Sequence, residues 1–528
     1  MMKRKTVALM MAAVMSIAAL AGCGSGSSTS EQNQESTGEN AQTLEDTVQT
    51  NETSEEAPAS ELDLDDIYDL YVTWPSLSGA PADIQLIEQA VNEIVEPKLG
   101  INVVLNSIPL SDLISQQQLL ISSGDSIDVV VSLWTGIDTW VNSDSLLELE
   151  DLLPVYAADY QKMNPAIADG IQFAGHTYAL PAASHGYPYG FMANSDILAK
   201  YGFDTADRAV TIDEIEEIMA AVKEGEGDGF YPVAGVPSFG TIGAKYDQLG
   251  AGNYSGVILI DENSDTVVNL YESDVFKEYA DRMYDWAQKG YIAPDAATSE
   301  DTAQTLLATG SYLGAFTMLA EGVKASYGSN GLVPLTNLTL VEGYTKTSDT
   351  TDSFYGVAAT CEQPEKAVAF LNELYSNQDL MNILQFGIEG THYVVSETNE
   401  EGFTLIDFPE GVDMGSSGYY VFLNVWNAGS NSTAAWNSDT GFLLLEENAA
   451  LKELPQSPAY GYVFDSTEYA TQVTALSAIY NEYDKIISCG AIDPEKELTA
   501  FVEALKAAGI DDIIAANQEQ YDAFRAAK

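Results

Sequence analysis

The sequence predicts an α/β protein built on a parallel sheet, and three observations carry that prediction. Between residues 67 and 131, apolar runs of strand length alternate with stretches of helical periodicity. The joints between them are short, the pattern of strands laid parallel and covered by helices. Beyond residue 200 the helical signals recur, several with explicit start and stop residues.

Ile67 to Thr73 reads as a short strand ended by Trp74-Pro75. Ile84, Ile87, Val91, Ile94 and Val95 then recur at helical spacing, and Lys98-Leu99-Gly100 stops that helix. Ile101 to Leu105 is a second strand, followed by a helix from about Ser111 to Ile121, a turn at Gly124, and the apolar strand Asp128-Val129-Val130-Val131. Thr211-Ile212-Asp213-Glu214 is a capping box opening a helix to about Lys223. Tyr271 to Gln288 and Pro364 to Tyr375 read as helices, and Val473, Leu476, Tyr480, Tyr483 and Ile487 form one apolar face. A last helix has Asp493 as N-cap, Pro494 at its first position and Gly509 as its stop. No internal repeat is visible.

The 528 residues allow two to four ordinary domains or one large two-lobed one, and 46% hydrophobic residues supply the cores. Charge is lopsided, with 21 Lys and Arg against 80 Asp and Glu, a formal charge of −59. Such a surface repels phosphate backbones, which argues against nucleic acid as a partner, and it slows anionic ligands. Three cysteines are too few for a disulfide framework, and three histidines leave little for a His-built metal centre.

Lys3-Arg4-Lys5 followed by the apolar run Val7 to Leu20 reads as a signal peptide, too short to span a bilayer. Leu20-Ala21-Gly22-Cys23 resembles the bacterial lipobox, which implies lipidation (palmitate being the usual chain) at Cys23 and a mature chain tethered outside the cell. That mature chain has 18 basic and 80 acidic residues, a charge of −62. From residue 23 to 63 the sequence is polar and acidic with almost nothing apolar, the composition of a disordered stalk.

Several segments in order carry a family resemblance: "VNEIVEPKLGINV", "LLISSGDSIDVVVSLW", "GHTYALPAASHGYPYGFMANSDILAKYGFD", "QKGYIAPD", "FYGVAATCEQPEKAVAFLNELYSNQDLMNILQFGIEGTHYVV" and "CGAIDPEKELTAFVEALKAAGIDDIIAANQEQYDAF". Together, from about Tyr68 to Phe524, they resemble family 1 extracellular solute-binding proteins of ABC importers, in the Gram-positive lipoprotein branch. The resemblance implies a two-lobed, periplasmic-binding-protein-like fold with hinge crossings and a ligand cleft between the lobes. It implies a monomeric receptor on the outer face of the cell membrane, with permease subunits as partners and no cofactor, metal or catalytic residue. On this reading lobe 1 takes residues 64–185 and 354–440, and lobe 2 takes 186–353 and 441–528. "GYPYGFMANSDILAKYGF" resembles the first crossing and "FYGVAAT" the return.

Sugars present apolar C–H faces rimmed by hydroxyls, so a site for them pairs aromatic platforms with polar side chains. Ligands of open α/β sheets sit beyond the carboxyl ends of the strands. Trp74 and Trp134 follow the first and third strands; each could be core, but their shared placement points to the ligand edge. His185, Tyr187 and Tyr189 lie where the first crossing enters the cleft, as ligand contacts or as hinge packing. Phe316 in "GAFTML" matches a segment that often supplies a platform in sugar-binding relatives. Trp426 and Trp436 stand among Asn424, Asn427, Asn431 and Ser432, either as a polyol site or as a packed surface loop. Tyr462 completes the candidates.

Asp261-Glu262-Asn263-Ser264-Asp265, with Asn269 and Glu272, mimics a calcium loop, but Thr266 holds the place that needs glycine. The flanking "GVILI" and "TVVNLY" read instead as two strands joined by a polar turn. No Walker A, G-x-G-x-x-G or G-x-S-x-G motif occurs. Cys361 and Cys489 are expected as buried thiols, although the sequence alone leaves a pair open. The expectation is therefore a lipid-anchored receptor for a neutral oligosaccharide. A receptor for peptides or cationic solutes, and a surface-anchored glycan hydrolase, are the alternatives.

Overall fold

The computed structural model describes residues 62–76, 79–163, 168, 170–182, 186–242, 244–329, 334–421, 433–438, 440–451 and 453–527. Cys23, with the segments read from the sequence as signal peptide and stalk, and His185 and Trp426 lie outside the described residues. Two main sheets organise the rest. The first has six strands in the order Ile101–Pro109, Tyr68–Ser76, Val129–Leu133, Ser353–Val357, His176–Pro181, Ile171–Phe173. The second has five, in the order Arg208–Ala209, Leu335–Val341, Tyr189–Asn194, Tyr312–Met318, Tyr231–Val233.

Strand alternation sorts side chains to the two faces of the first sheet. Val129, Val131, Leu133, Tyr355 and Val357 join one core with Ile87, Val91 and Val95 of helix Ile84–Leu99 and with Phe370 and Leu371 of helix Pro364–Ser376. Val130 and Phe354 turn the other way, onto Ile137 and Trp140 of helix Ile137–Val141. Helix Ile84–Leu99 ends at Gly100 with φ 62°, a left-handed cap that glycine adopts without strain. The second sheet is covered similarly. Phe191 and Ala193 face a core with helices Ile212–Glu226, Asp274–Gln288, Ala470–Ser488 and Pro494–Ala507, while Met192 faces Leu319, Val323 and Leu451.

A three-stranded sheet, Val394–Thr398, Thr404–Asp407 and Ala434–Trp436, flanks the first core. Helix Gly441–Leu451 follows it and reaches the second core, where the Glu447 carboxylate accepts the Glu321 N–H at 3.1 and 3.2 Å.

One sequence expectation changes in detail, and another is met. The first strand runs through Trp74-Pro75 to Ser76, paired with Ile101–Pro109 along its whole length. On its other side it pairs with Val129–Leu133 only at Val72, so Pro75 owes no hydrogen bond there. The acidic run after residue 260 forms a hairpin, Val257–Leu259 antiparallel to Asn263–Val268. Its Asp265 pairs with Arg525 at 2.6 Å and the following Glu272 with Lys506 at 2.5 Å. Cys361 and Cys489 are free and buried, and burial pushes both thiols up in pKa.

Candidate functional site

The site follows from strand direction. Tyr68–Ser76, Ile101–Pro109 and Val129–Leu133 run parallel, whereas Ser353–Val357 runs against them and begins at Ser353, opposite Leu133. Pro181 ends its strand opposite Phe354, so Leu133, Pro181 and Ser353 share the carboxyl edge of the first sheet. In the second sheet Tyr189 begins its strand opposite Met318 and Val341, at the carboxyl ends of theirs. The chain therefore passes directly from one carboxyl edge to the other between Pro181 and Tyr189, and returns between Val341 and Ser353. Both edges face one cleft, the position where open α/β sheets hold ligands.

The crossings are bound tightly to each other. A Cβ at Gly186 would lie 2.8 Å from the Tyr344 carbonyl carbon, so only glycine permits this approach. Thr345 donates its N–H to Pro455 and accepts that of Ser457, at 2.9 and 2.8 Å, which adds a third segment to the hinge. The Thr347 hydroxyl donates to the Ala459 carbonyl at 2.6 Å, and its N–H donates to the buried Asp247 carboxylate at 3.0 and 3.2 Å. Burial pushes Asp247 up to about 6, against the pull of its Ser457 and Thr347 hydrogen bonds.

At the first-sheet edge Trp134 is 57% exposed and adopts φ 60°. The next residue, Thr135, donates its N–H to the Asp352 carbonyl at 3.0 Å. Asp138 lies on helix Ile137–Val141, and Asp349 on the short helix Ser348–Thr351 that Asp352 closes. Lys346 precedes that helix; its N–H donates to Asp349 Oδ2 at 2.7 Å, and its ammonium sits 4.9 Å from the Tyr189 ring centre. All four charged side chains retain some solvent contact, as groups lining a recess do. Burial nevertheless raises the pKa of Asp138 and, against the Lys346 charge, that of Asp349. Asp352 is pushed up to about 6 by burial first and then by the Asp138 and Asp349 charges. Burial works most strongly on the Lys346 ammonium and against its charge, but Asp349 together with Tyr189, Tyr344 and Tyr246 outweighs it and holds the lysine charged.

The opposite wall is aromatic. Tyr246 donates its N–H to the Tyr344 hydroxyl at 3.0 Å, and that hydroxyl donates to the Tyr246 carbonyl at 2.6 Å. Beyond the hinge the two lobes also touch, where the Thr467 hydroxyl donates to Asn142 Oδ1 at 3.0 Å. His176, with Glu150 at 2.7 Å and Glu148 at 3.5 Å, forms an exposed ion-pair cluster. It lies at the start of its strand, the edge away from the cleft.

The structure brings Trp134 and Tyr189 to the cleft and places the other described candidates elsewhere. Trp74 lies within its strand opposite Ser107, fully buried, with its indole N–H on the Tyr419 hydroxyl at 3.1 Å. Phe316 is buried because helix Asp274–Gln288 covers its face of the sheet, stacking Trp286 on it at 5.3 Å. Tyr462 is buried with its hydroxyl donating to Asn517 Oδ1 at 2.8 Å. Tyr187 is buried among Met192, Leu319 and Leu451. Trp436 belongs to the flanking sheet and stacks on Phe408 at 4.3 Å. Asp138, Asp349, Asp352, Lys346, Tyr246 and Tyr344 are functional candidates that the sequence reading missed. The one available signal was a lysine and two aspartates in "TKTSDTTDSFYGV", just ahead of the expected return crossing.

The geometry agrees with the relatives. The chain is 25% identical over 464 residues to a carbohydrate ABC transporter substrate-binding protein of Streptococcus pneumoniae serotype 4, covering 85% of this chain and 89% of that one. Its fold is similar to the crystal structure of the N-glycan transport solute binding protein NgtS from Streptococcus pneumoniae, with a TM-score of 0.69, 21% identity, and 87% and 98% of the two chains covered. It is also similar to an extracellular solute-binding protein from Bifidobacterium longum subsp. infantis, with a TM-score of 0.59, 16% identity, and 88% and 99% coverage. Residues 458–526 match the model of a domain of unknown function, DUF3502. Residues 84–381, more than half of the sequence and both walls of the hinge, match that of the bacterial extracellular solute-binding proteins, and the chain belongs to that family.

Proposed function

We propose that this protein captures an oligosaccharide outside the cell by closure of its two lobes and delivers it to the permease of an ABC importer, without chemistry of its own. The observation that carries the reading is the cleft itself. An exposed indole, Trp134, stands at the carboxyl edge of one sheet, two residues before Gly136, where the Asp138 and Asp352 carboxylates gather, with Tyr189 at the edge of the other. An apolar platform beside hydrogen-bond acceptors is what a sugar ring needs. The carbohydrate ABC transporter relative and the N-glycan transport protein support the ligand class. The lipobox-like Leu20-Ala21-Gly22-Cys23 supports a tether through Cys23 to the outer face of the membrane. Among the described residues no helix is long and apolar enough to cross one.

Thermal-shift screening of the mature protein against neutral oligosaccharides tests the reading, because a ligand of the folded state alone raises the melting point. Small-angle scattering of each hit should show a smaller radius of gyration, and chromatography should show no product. An unchanged radius at saturation would point to a rigid surface site, and released product to a hydrolase. The acidic recess also fits a cationic solute or peptide, which silence on every sugar together with a shift on a cationic panel would favour.

A further inference from the structure

Resting on the oligosaccharide reading, we infer that Asp138, Asp349 and Asp352 make the hinge end of the cleft select uncharged sugars and reject those bearing a carboxylate.

Three carboxylates converge where the second crossing meets the first sheet. Around Gly136 two of them come so close that a Cβ there would lie 2.7 Å from Asp138 Oδ1 and 3.6 Å from Asp352 Oδ1. Lys346 is the cation among them, and it is already engaged. Its ammonium lies over the Tyr189 ring, and the Asp349 charge balances it. Lys245, at 5.9 Å from the Tyr344 ring centre, is a cation on the facing aromatic wall. The groups acting on Asp352 are Asp138 and Asp349, with a hydrogen bond from Thr351, and Lys346 opposes burial at Asp349. A ligand carboxylate entering here meets a surplus of negative charge in a recess where solvent screens poorly. A carboxylate only accepts hydrogen bonds, at about four lone-pair sites on its two oxygens, so sugar hydroxyls satisfy it without added charge.

The raised pKa of these carboxyls adds a second arm to the test. Lowering the pH from about 7.5 to about 5 protonates Asp352, whose carboxyl is pushed up to about 6, while a uronic acid stays ionised. Rejection should therefore weaken on acidification.

The experiment uses calorimetric titration of the mature protein with neutral oligosaccharides that bind, each paired with its C6-oxidised uronide of equal length and linkage. The uronide should bind at least about tenfold more weakly at pH 7.5, and the ratio should narrow at pH 5. Asp138→Asn and Asp352→Asn should each narrow it at pH 7.5; their melting points without ligand report folding. A uronide that binds as tightly as its neutral partner, or a ratio unmoved by both substitutions and by pH, overturns the inference alone. Silence on every sugar overturns the oligosaccharide reading and this inference with it.

Discussion

Trp134 offers the sharpest separation between binding and stability, because its backbone and its side chain have opposite interests. Its φ of 60° lies in the left-handed region, which costs a residue with a Cβ roughly 1–2 kcal/mol. Its ring is 57% exposed, so truncation gives up less than half of a burial term of about 1.5–3 kcal/mol, or about 1 kcal/mol. Trp134→Gly relieves the backbone cost but adds about 0.4–1 kcal/mol of chain entropy to the unfolded state. The three contributions nearly cancel, and the glycine variant should melt within about 1 kcal/mol of the parent. Trp134→Ala keeps the backbone cost and should be the less stable of the two. Both variants remove the platform, so both should lose about 1–3 kcal/mol of sugar affinity, about five- to 150-fold in Kd. Trp74→Ala is the control, since a fully buried indole bonded to Tyr419 should cost about 3–5 kcal/mol of stability. Differential scanning calorimetry without ligand and titration calorimetry with it give both numbers for each variant. Parental affinity in both Trp134 variants would refute the platform, and a glycine variant much less stable than the alanine one would refute the backbone argument.

Tyr462→Phe leaves the buried Asn517 amide oxygen without its donor and should cost about 1–3 kcal/mol of stability with sugar affinity unchanged, as read by paired melting and titration. Cys23→Ser should release the protein from the membrane fraction without altering its affinity; firm membrane association of that variant would sink the anchor reading. Asp247, Asp352 and Glu447 are pushed up to about 6, about 6 and about 7, chiefly by burial, so the folded chain holds their protons at a pH where the unfolded chain has released them. Stability should therefore rise as pH falls from about 7.5 to about 5, and fall as pH rises through that window, measured by urea midpoints.

What could be read from the sequence was what local periodicity encodes. The strand at Val129 and the helix ended by Gly100 announce themselves because a two-residue or 3.6-residue pattern and a left-handed cap are properties of neighbours along the chain. Strand length is not such a property. Trp74-Pro75 looks like punctuation, yet pairing with Ile101–Pro109 carries the strand two residues past the tryptophan and turns its ring into the core. Phe316 fails for a related reason: a helix distant in sequence, Asp274–Gln288, decides which face of its strand is covered.

The polar half of the cleft was the least legible part, and charge composition explains why. With 80 acidic residues, no carboxylate stands out by type, and Asp138, Asp349 and Asp352 become a group only when Ser353 pairs against Leu133. That single antiparallel register sets the end of the second crossing beside Trp134 and lets the Thr135 N–H reach the Asp352 carbonyl. The same crossing carries Lys346 to Tyr189 and Thr347 to Asp247, so the residues that fasten the hinge and those that line the recess are neighbours on one short segment. A ligand pressing on Asp349 or Asp352 thus acts within a few residues of the bonds that hold the lobes in register. Under the proposed function, ligand contact at Asp349 or Asp352 would therefore bear on lobe orientation through a continuous backbone.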